Sequence, residues 1–133
     1  MAGYSGTPLW KKLGLQDGMS AQVINPPEDY HTVLLAGSPD VIWQTSGPGT
    51  FFTHLFTTSR AELDKVLRET LASMPRDGMI WVSWPKKASK RPTEVIDDDI
   101  RAACLPMGLV DVKVCAVSEI WSGLKLVIRK ELR

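Results

Sequence analysis

The chain has 133 residues, 44% of them hydrophobic and 23% charged, and a formal net charge of +1. That length fits one domain and can bury a real core, since near 150 residues roughly 68–70% of the unfolded chain's surface leaves water. A general electrostatic grip on nucleic acid needs a strongly basic domain, so charge-driven binding here must be local.

The first seventeen residues form a small, polar, glycine-containing extension. Within it TPLWKKLGL predicts one short helical turn stopped by Gly14. MSAQVIN, 19–25, reads as a first strand. It ends at Pro26-Pro27, which cannot continue a central ladder. In EDYHTVLLAG, Tyr30, Val33 and Leu34 stand at helical spacing, and Gly37 is the stop. DVIWQT, 40–45, is a short second strand and SGPG, 46–49, a turn. FFTHLFTTS, 51–59, is a third strand, rich in aromatic and β-branched residues.

Ser59 and Glu62 then make a Ser-x-x-Glu capping pattern. Leu63, Val66, Leu67, Leu71 and Met74 follow at the spacing of an amphipathic helix, ended by Pro75 and turned by Asp77-Gly78. MIWVSW, 79–84, is apolar at nearly every position, as a strand covered on both faces would be. Next comes PKKASKRPT, with the cations Lys86, Lys87, Lys90 and Arg91 within six residues.

Thr93 is the expected N-cap of a helix whose first turns hold Glu94, Asp97, Asp98 and Asp99, where the helix dipole favours acids. Its buried stripe is Ile96, Ile100, Ala103 and Cys104, and Pro106 and Gly108 end it. LVDVKVCAV, 109–117, alternates, with Val110, Val112, Val114 and Ala116 on one face. SEIWSG turns the chain into LKLVIRKEL, 124–132, so the last two strands form an antiparallel hairpin. Strands alternating with helices predict an α/β fold with a mostly parallel sheet.

From residue 51 onward this layout resembles the second half of a class I methyltransferase. MPRDGMIWVSW and PMGLVDVKV look like two strand-entry passages of that fold. The resemblance implies a Rossmann-like three-layer α/β/α sandwich with a six-stranded sheet in the order 2-1-3-4-6-5. In that superfamily S-adenosylmethionine sits on a glycine-rich loop after the first strand, and an acid at the end of the second holds its ribose. Here the loop is NPPEDY and the second strand ends in Gln44-Thr45. Glycines in such a loop let the backbone approach the ligand, and prolines lack the N–H groups that would cradle it. The cofactor site is therefore expected to be lost or rebuilt, and no cofactor is predicted.

AGYSGTPLWKKLGL, NPPEDY, LFTTSRAEL, DGMIWVSWPKKASKRPT and GLVDVKVCAVSEIWSGLKLVIRK resemble an uncharacterised bacterial family of short proteins, known only as a domain of unknown function. That resemblance covers nearly the whole chain. It implies a small cytoplasmic protein and brings no activity or partner with it. The opening carries no basic segment followed by an apolar one, and no apolar run reaches the 18 or so residues of a membrane span. Two separate cysteines indicate no disulfide framework.

Ligands of open α/β sheets bind outside the carboxyl ends of the strands. Three segments stand there: Asn25, Glu28 and Asp29 after the first strand, Thr57, Thr58 and Ser59 after the third, and Trp84, Lys86, Lys87 and Lys90 after the fourth. As an anion site, the lysines would supply charge, amides after Thr93 would supply donors, and Trp84 would stack on a ring. The competing expectation is a solvated loop, partly neutralised by Glu28, Asp29 and the acids at 97–99.

The nucleophile-elbow motif and the phosphate-loop tail are both missing, and Glu28 and Asp29 suit a helix N-terminus, so no catalytic residue is assigned. His54, mid-strand among aromatics, is expected to be a satisfied core or edge side chain, and His31 to lie exposed on a helix. Neither has zinc-ligand spacing, and no metal is predicted. Three functions follow as expectations. The first is a non-catalytic binding or regulatory domain whose basic edge meets a small anion or acidic protein partner. The second is a methyltransferase-like or nucleotide-dependent enzyme with a remodelled site, and the third a weak RNA binder. A free edge at the second strand would allow a homodimer.

Overall fold

The structure is a computed structural model that describes residues 7–44 and 49–133. Most of the expected SGPG turn, Thr45 and the opening AGYSG lie outside the described residues.

The elements are α1 (Leu9–Leu13), β1 (Ser20–Ile24), one π-helical turn (Tyr30–Leu34), β2 (Ile42–Trp43), β3 (Phe52–Phe56), α2 (Arg60–Ser73), β4 (Met79–Pro85), a 3₁₀ turn (Lys87–Ser89), α3 (Asp97–Cys104), β5 (Leu109–Ala116) and β6 (Trp121–Ile128). They build one six-stranded sheet in the order β2-β1-β3-β4-β6-β5. The first four strands are parallel, and β6 runs antiparallel to both β4 and β5. This is the expected Rossmann-like arrangement with its terminal hairpin.

The layers follow from the residue pattern. On one face α2 and α3 press Leu63, Leu67 and Ile100 onto Leu55, Ile80, Val82 and Leu126. On the other, α1 and the turn at 30–34 lay Leu13, Tyr30 and Leu35 over Phe52, Phe56 and Trp81. Trp81 also donates its indole N–H to the Leu13 carbonyl at 2.9 Å, which satisfies an orphan acceptor at the end of α1 and fixes the helix to the sheet. Gly14 takes a left-handed φ of 88° as the C-cap, as its position predicts.

Four expectations are corrected. The helix after β1 is a single π turn: Leu34 N–H reaches Asp29 and Leu35 N–H reaches Tyr30, five residues back. The wider turn buries Leu35 beside Tyr30 and leaves Val33 62% exposed. Thr93 does not cap α3. Its hydroxyl instead closes a local turn, accepting from Val95 N–H at 3.0 Å, and the helix begins at Asp97 with Asp99 accepting from Ile96 N–H at 2.9 Å.

The hairpin turn is shorter than SEIWSG, because Ser118 Oγ accepts from both Ile120 and Trp121 N–H and β6 starts at Trp121. Finally, a β-bulge lies between Asp111 and Lys113. It reverses the alternation of β5. Val110 pairs with Val127, on the α1 side, whereas Val114 and Ala116 pair with Leu124 and Ser122, on the α3 side.

Candidate functional site at the carboxyl ends of the parallel strands

From β1 the chain crosses to β2 on one side, and from β3 it crosses to β4 on the other. The switch point therefore lies between the carboxyl ends of β1 and β3, where an open α/β sheet forms its binding crevice. Asn25 and Thr57 stand there, one residue beyond each strand.

Asn25 adopts a left-handed φ of 58°, a conformation asparagine tolerates better than most residues. Its amide donates to the Phe56 carbonyl at 3.3 Å and to Glu62 Oε2 at 3.0 Å. Thr57, buried, donates to the other carboxylate oxygen of Glu62. The Glu62 carboxylate is thus clamped across the crevice by an amide from one strand end and a hydroxyl from the other.

This clamp is a capping box with its halves redistributed. Ser59 caps α2 as predicted, accepting from Glu62 N–H at 3.2 Å. The reciprocal half goes elsewhere: Ser59 N–H bonds to Thr57 Oγ1 at 3.1 Å, which leaves the Glu62 carboxylate to reach Asn25. The next amide, Arg60 N–H, is taken by the Glu94 carboxylate at 3.0 Å. Glu94 N–H in turn bonds to the Thr58 carbonyl at 2.9 Å, so the segment after the basic loop docks over the start of α2. At the N-terminus of α2, where a nucleotide-binding fold receives a phosphate, Arg60 N–H is met by the Glu94 carboxylate and the Ser59 and Glu62 N–H groups by the Thr57 and Ser59 hydroxyls.

The basic loop stands on the same edge. Lys86 N–H bonds to the Ile120 carbonyl at 2.7 Å, and Ser89 closes the 3₁₀ turn through the Lys86 carbonyl. Lys90 follows at a φ of 60°. Lys87, Lys90 and Arg91 are exposed and Lys86 is half-buried. None of these four side chains makes an ion pair with a described residue. The acids expected to neutralise them pair with arginines instead: Asp99 with Arg60, and Asp97 and Asp98 with Arg101. Arg101 also binds Asp111, and these bonds hold its guanidinium well above its ordinary range.

The structure thus brings Asn25, Thr57 and Ser59 into one network and sets Thr58 beside it. Glu28 and Asp29 are exposed at the start of the π turn, outside that network. Trp84 does not offer a stacking face. It is 8% exposed and packs in the α2–α3 core with Val95 and Leu124. The amides expected after Thr93 are displaced to the start of α3 at Asp97. Sequence reasoning missed Glu62 and Glu94 as crevice residues. The Ser-x-x-Glu pattern flagged Glu62, but as a cap.

Beneath the crevice lies a polar chain. His54 is fully buried, with Nδ1 2.9 Å from Tyr30 Oη and Nε2 2.7 Å from Ser83 Oγ, and its ring stacks on Phe56. Of the core and edge positions that the sequence allows, it takes the core one, with both ring nitrogens satisfied. Burial lowers its pKa to about 3, so it is neutral, and burial pushes Tyr30 well above the usual phenol range. Among the described residues no group of three His, Cys, Asp or Glu side chains is placed to hold a metal ion, and no helix is long and apolar enough to cross a membrane.

The family described as "Protein of unknown function (DUF3052)" matches residues 55–130, more than half of the chain, and the protein belongs to it. No curated protein matches in sequence. Among solved structures, the chain is similar to LepI in complex with SAM, with a TM-score of 0.55, 10% identity, and coverage of 92% of this chain and 47% of that one. It is also similar to magnesium protoporphyrin IX methyltransferase (ChlM) from Synechocystis PCC 6803 with bound SAM, with a TM-score of 0.55, 13% identity, and coverage of 90% and 74%. A protein of the NADB-Rossmann superfamily from Streptococcus agalactiae gives 0.57, 7% identity, and coverage of 92% and 68%. At these identities the likeness is one of fold, and the chain spans less than half the length of LepI.

Proposed function

We propose, from the premise of a methyltransferase-like fold in a family of unknown function, that this protein is a non-catalytic binding or regulatory domain. Its crevice is closed by its own side chains, and its basic edge, Lys86, Lys87, Lys90 and Arg91, meets an acidic partner or a small anion. Asn25, Thr57, Thr58 and Ser59 shape the floor of that edge, with Glu28 and Asp29 at its rim.

The observation that carries this reading is the Glu62 carboxylate held between Asn25 and Thr57 at the switch point. An incoming S-adenosyl ligand would have to displace it, and would meet Pro26 and Pro27, which have no N–H to offer. The cations beside it carry the opposite signature. Binding an acidic group there breaks no ion pair among the described residues, and the exposed charges make the interaction sensitive to salt.

The test is a thermal-shift panel of S-adenosylmethionine, S-adenosylhomocysteine and a poly-glutamate peptide. A ligand at one hundred times its Kd adds about 2.7 kcal/mol, which moves the midpoint of a domain this size by several degrees. Poly-glutamate is expected to shift the protein at low salt, and to lose that effect in the variant carrying Lys86→Ala and Lys87→Ala. The likeness to SAM-bound LepI favours a second reading, an enzyme with a remodelled cofactor site. A shift with either S-adenosyl compound would replace the first reading with that one.

A further inference from the structure

On the far edge of the sheet, away from the crevice, α1 lies beside β5. Between them is a groove of about 530 Å³, a size that accommodates a small ligand. Its walls include Lys11 and Lys12 from α1 and Lys113 and Cys115 from β5, and among the described residues no carboxylate lines it. We infer that this groove is an anion site, built by Lys11, Lys12 and Lys113 with Lys125 beside them, and that it takes a small molecule carrying a phosphate or pyrophosphate group.

Lysines in the last turn of α1 alone would be explained by the helix dipole. Lys113 also reaches that helix end, its ammonium donating to the Lys12 carbonyl at 3.3 Å, but one carbonyl does not account for where it stands on the sheet. It stands directly across from Lys125 in the antiparallel pair β5–β6, and like charges directly opposite are destabilising. Lys125 is half-buried there, and burial together with Lys113 lowers its pKa. Neither lysine makes an ion pair with a described residue, although the chain pairs Arg60, Arg68 and Arg101 with carboxylates elsewhere.

The bulge creates this arrangement. Asp111 pairs with Leu126 on the α3 side, so regular alternation would put Lys113 on that side too. The extra residue, Val112, turns Lys113 and Cys115 onto the α1 side, opposite Lys125 and Gly123. Bulges often re-aim a side chain at a functional position. Here one gathers cations at an electrostatic cost that a bound polyanion would offset. This inference does not rest on the crevice or the basic loop.

Cys115 is a reporter already in place. It lines the groove and is half-buried, whereas Cys104 is fully buried. The experiment is alkylation of the intact protein by N-ethylmaleimide, with inorganic pyrophosphate as the probe. Cys115 labelling is expected to slow about tenfold at pyrophosphate ten times its Kd, as site occupancy requires. Sodium chloride at equal ionic strength should not reproduce this.

Lys113→Gln, an exposed change that relieves the repulsion with Lys125, should fold and lose the protection. The variant carrying Lys86→Ala and Lys87→Ala should keep it. No protection in the wild type, equal protection by chloride, or protection that survives Lys113→Gln would each overturn the inference. None of these outcomes bears on the proposed function, which is read by S-adenosyl and poly-glutamate ligands.

Discussion

On one face of the sheet, α2 and α3 press hydrocarbon onto hydrocarbon: Leu63, Val66, Leu67 and Ile100 against Leu55, Ile80, Val82 and Leu124. On the other, a five-residue helix and one π turn cover Phe52, Phe56 and Trp81 together with a buried chain of polar groups, Tyr30–His54–Ser83. The first face is non-directional. Any well-shaped apolar set of the right volume would hold it. The second is held by directed bonds, since its cover is too small to exclude alternatives by area alone. What the polar chain adds there is a fixed register between the π turn, β3 and β4.

The largest expected effect breaks the polar face. His54→Phe leaves two buried hydroxyls, on Tyr30 and Ser83, without a partner, at about 1–3 kcal/mol each. The triple variant Tyr30→Phe, His54→Phe, Ser83→Ala removes the partners as well, and urea titrations should show it recovering most of that loss. A triple variant no better than the single one would mean that ring shape, not bonding, holds this face.

The same histidine gives a pH signature. Its folded pKa is lowered to about 3 from 6.5, so between those values the unfolded chain binds a proton that the folded chain does not. Its contribution is therefore complete above pH 6.5 and is lost as pH falls, by at most about 1.4 kcal/mol per unit. The His54→Phe variant should lack that part of the slope. On the hydrocarbon face, Leu67→Ala should cost about 2–5 kcal/mol by cavity formation, with no change in the pH slope.

These two faces differ in how plainly the sequence announces them. The stripe Leu63, Val66, Leu67 states α2 outright, and near-continuous apolar residues state β4. The alternation of elements announced a mostly parallel α/β sheet, and the strand order came from the resemblance to the methyltransferase layout. The π turn was hidden, because Val33 and Leu34 mimic helical spacing while the hydrogen bonds span five residues. The bulge was hidden more completely: LVDVKVCA alternates without a flaw, and only the pairing with β6 reveals the extra residue. The crevice was legible as a place but not as a state. Asn25 and Thr57 were placed at the edge by strand ends alone. The carboxylate that closes it comes from 37 residues after Asn25, across a tertiary contact that no local pattern encodes.

At the crevice, Ser59→Ala should cost about 1 kcal/mol, the ordinary value of a helix cap. Thr57→Ala should cost more than its size suggests, because it frees one oxygen of Glu62 and loosens the clamp on Asn25. If the clamp is what excludes a ligand, Thr57→Ala and Glu62→Ala are the variants in which S-adenosyl binding would first become measurable.

The smallest expected effect is the most informative about function. Lys86→Ala with Lys87→Ala removes side chains that have no ion-pair partner among the described residues, so stability should stay within about 0.5 kcal/mol. Chemical denaturation of the double variant measures this directly. A larger loss would mean that these lysines are part of the folded framework, and the edge would lose its claim to be a binding surface. A null result fits the opposite role. Residues that contribute nothing to folding can still carry specificity for a partner, because their charge remains unspent until that partner arrives.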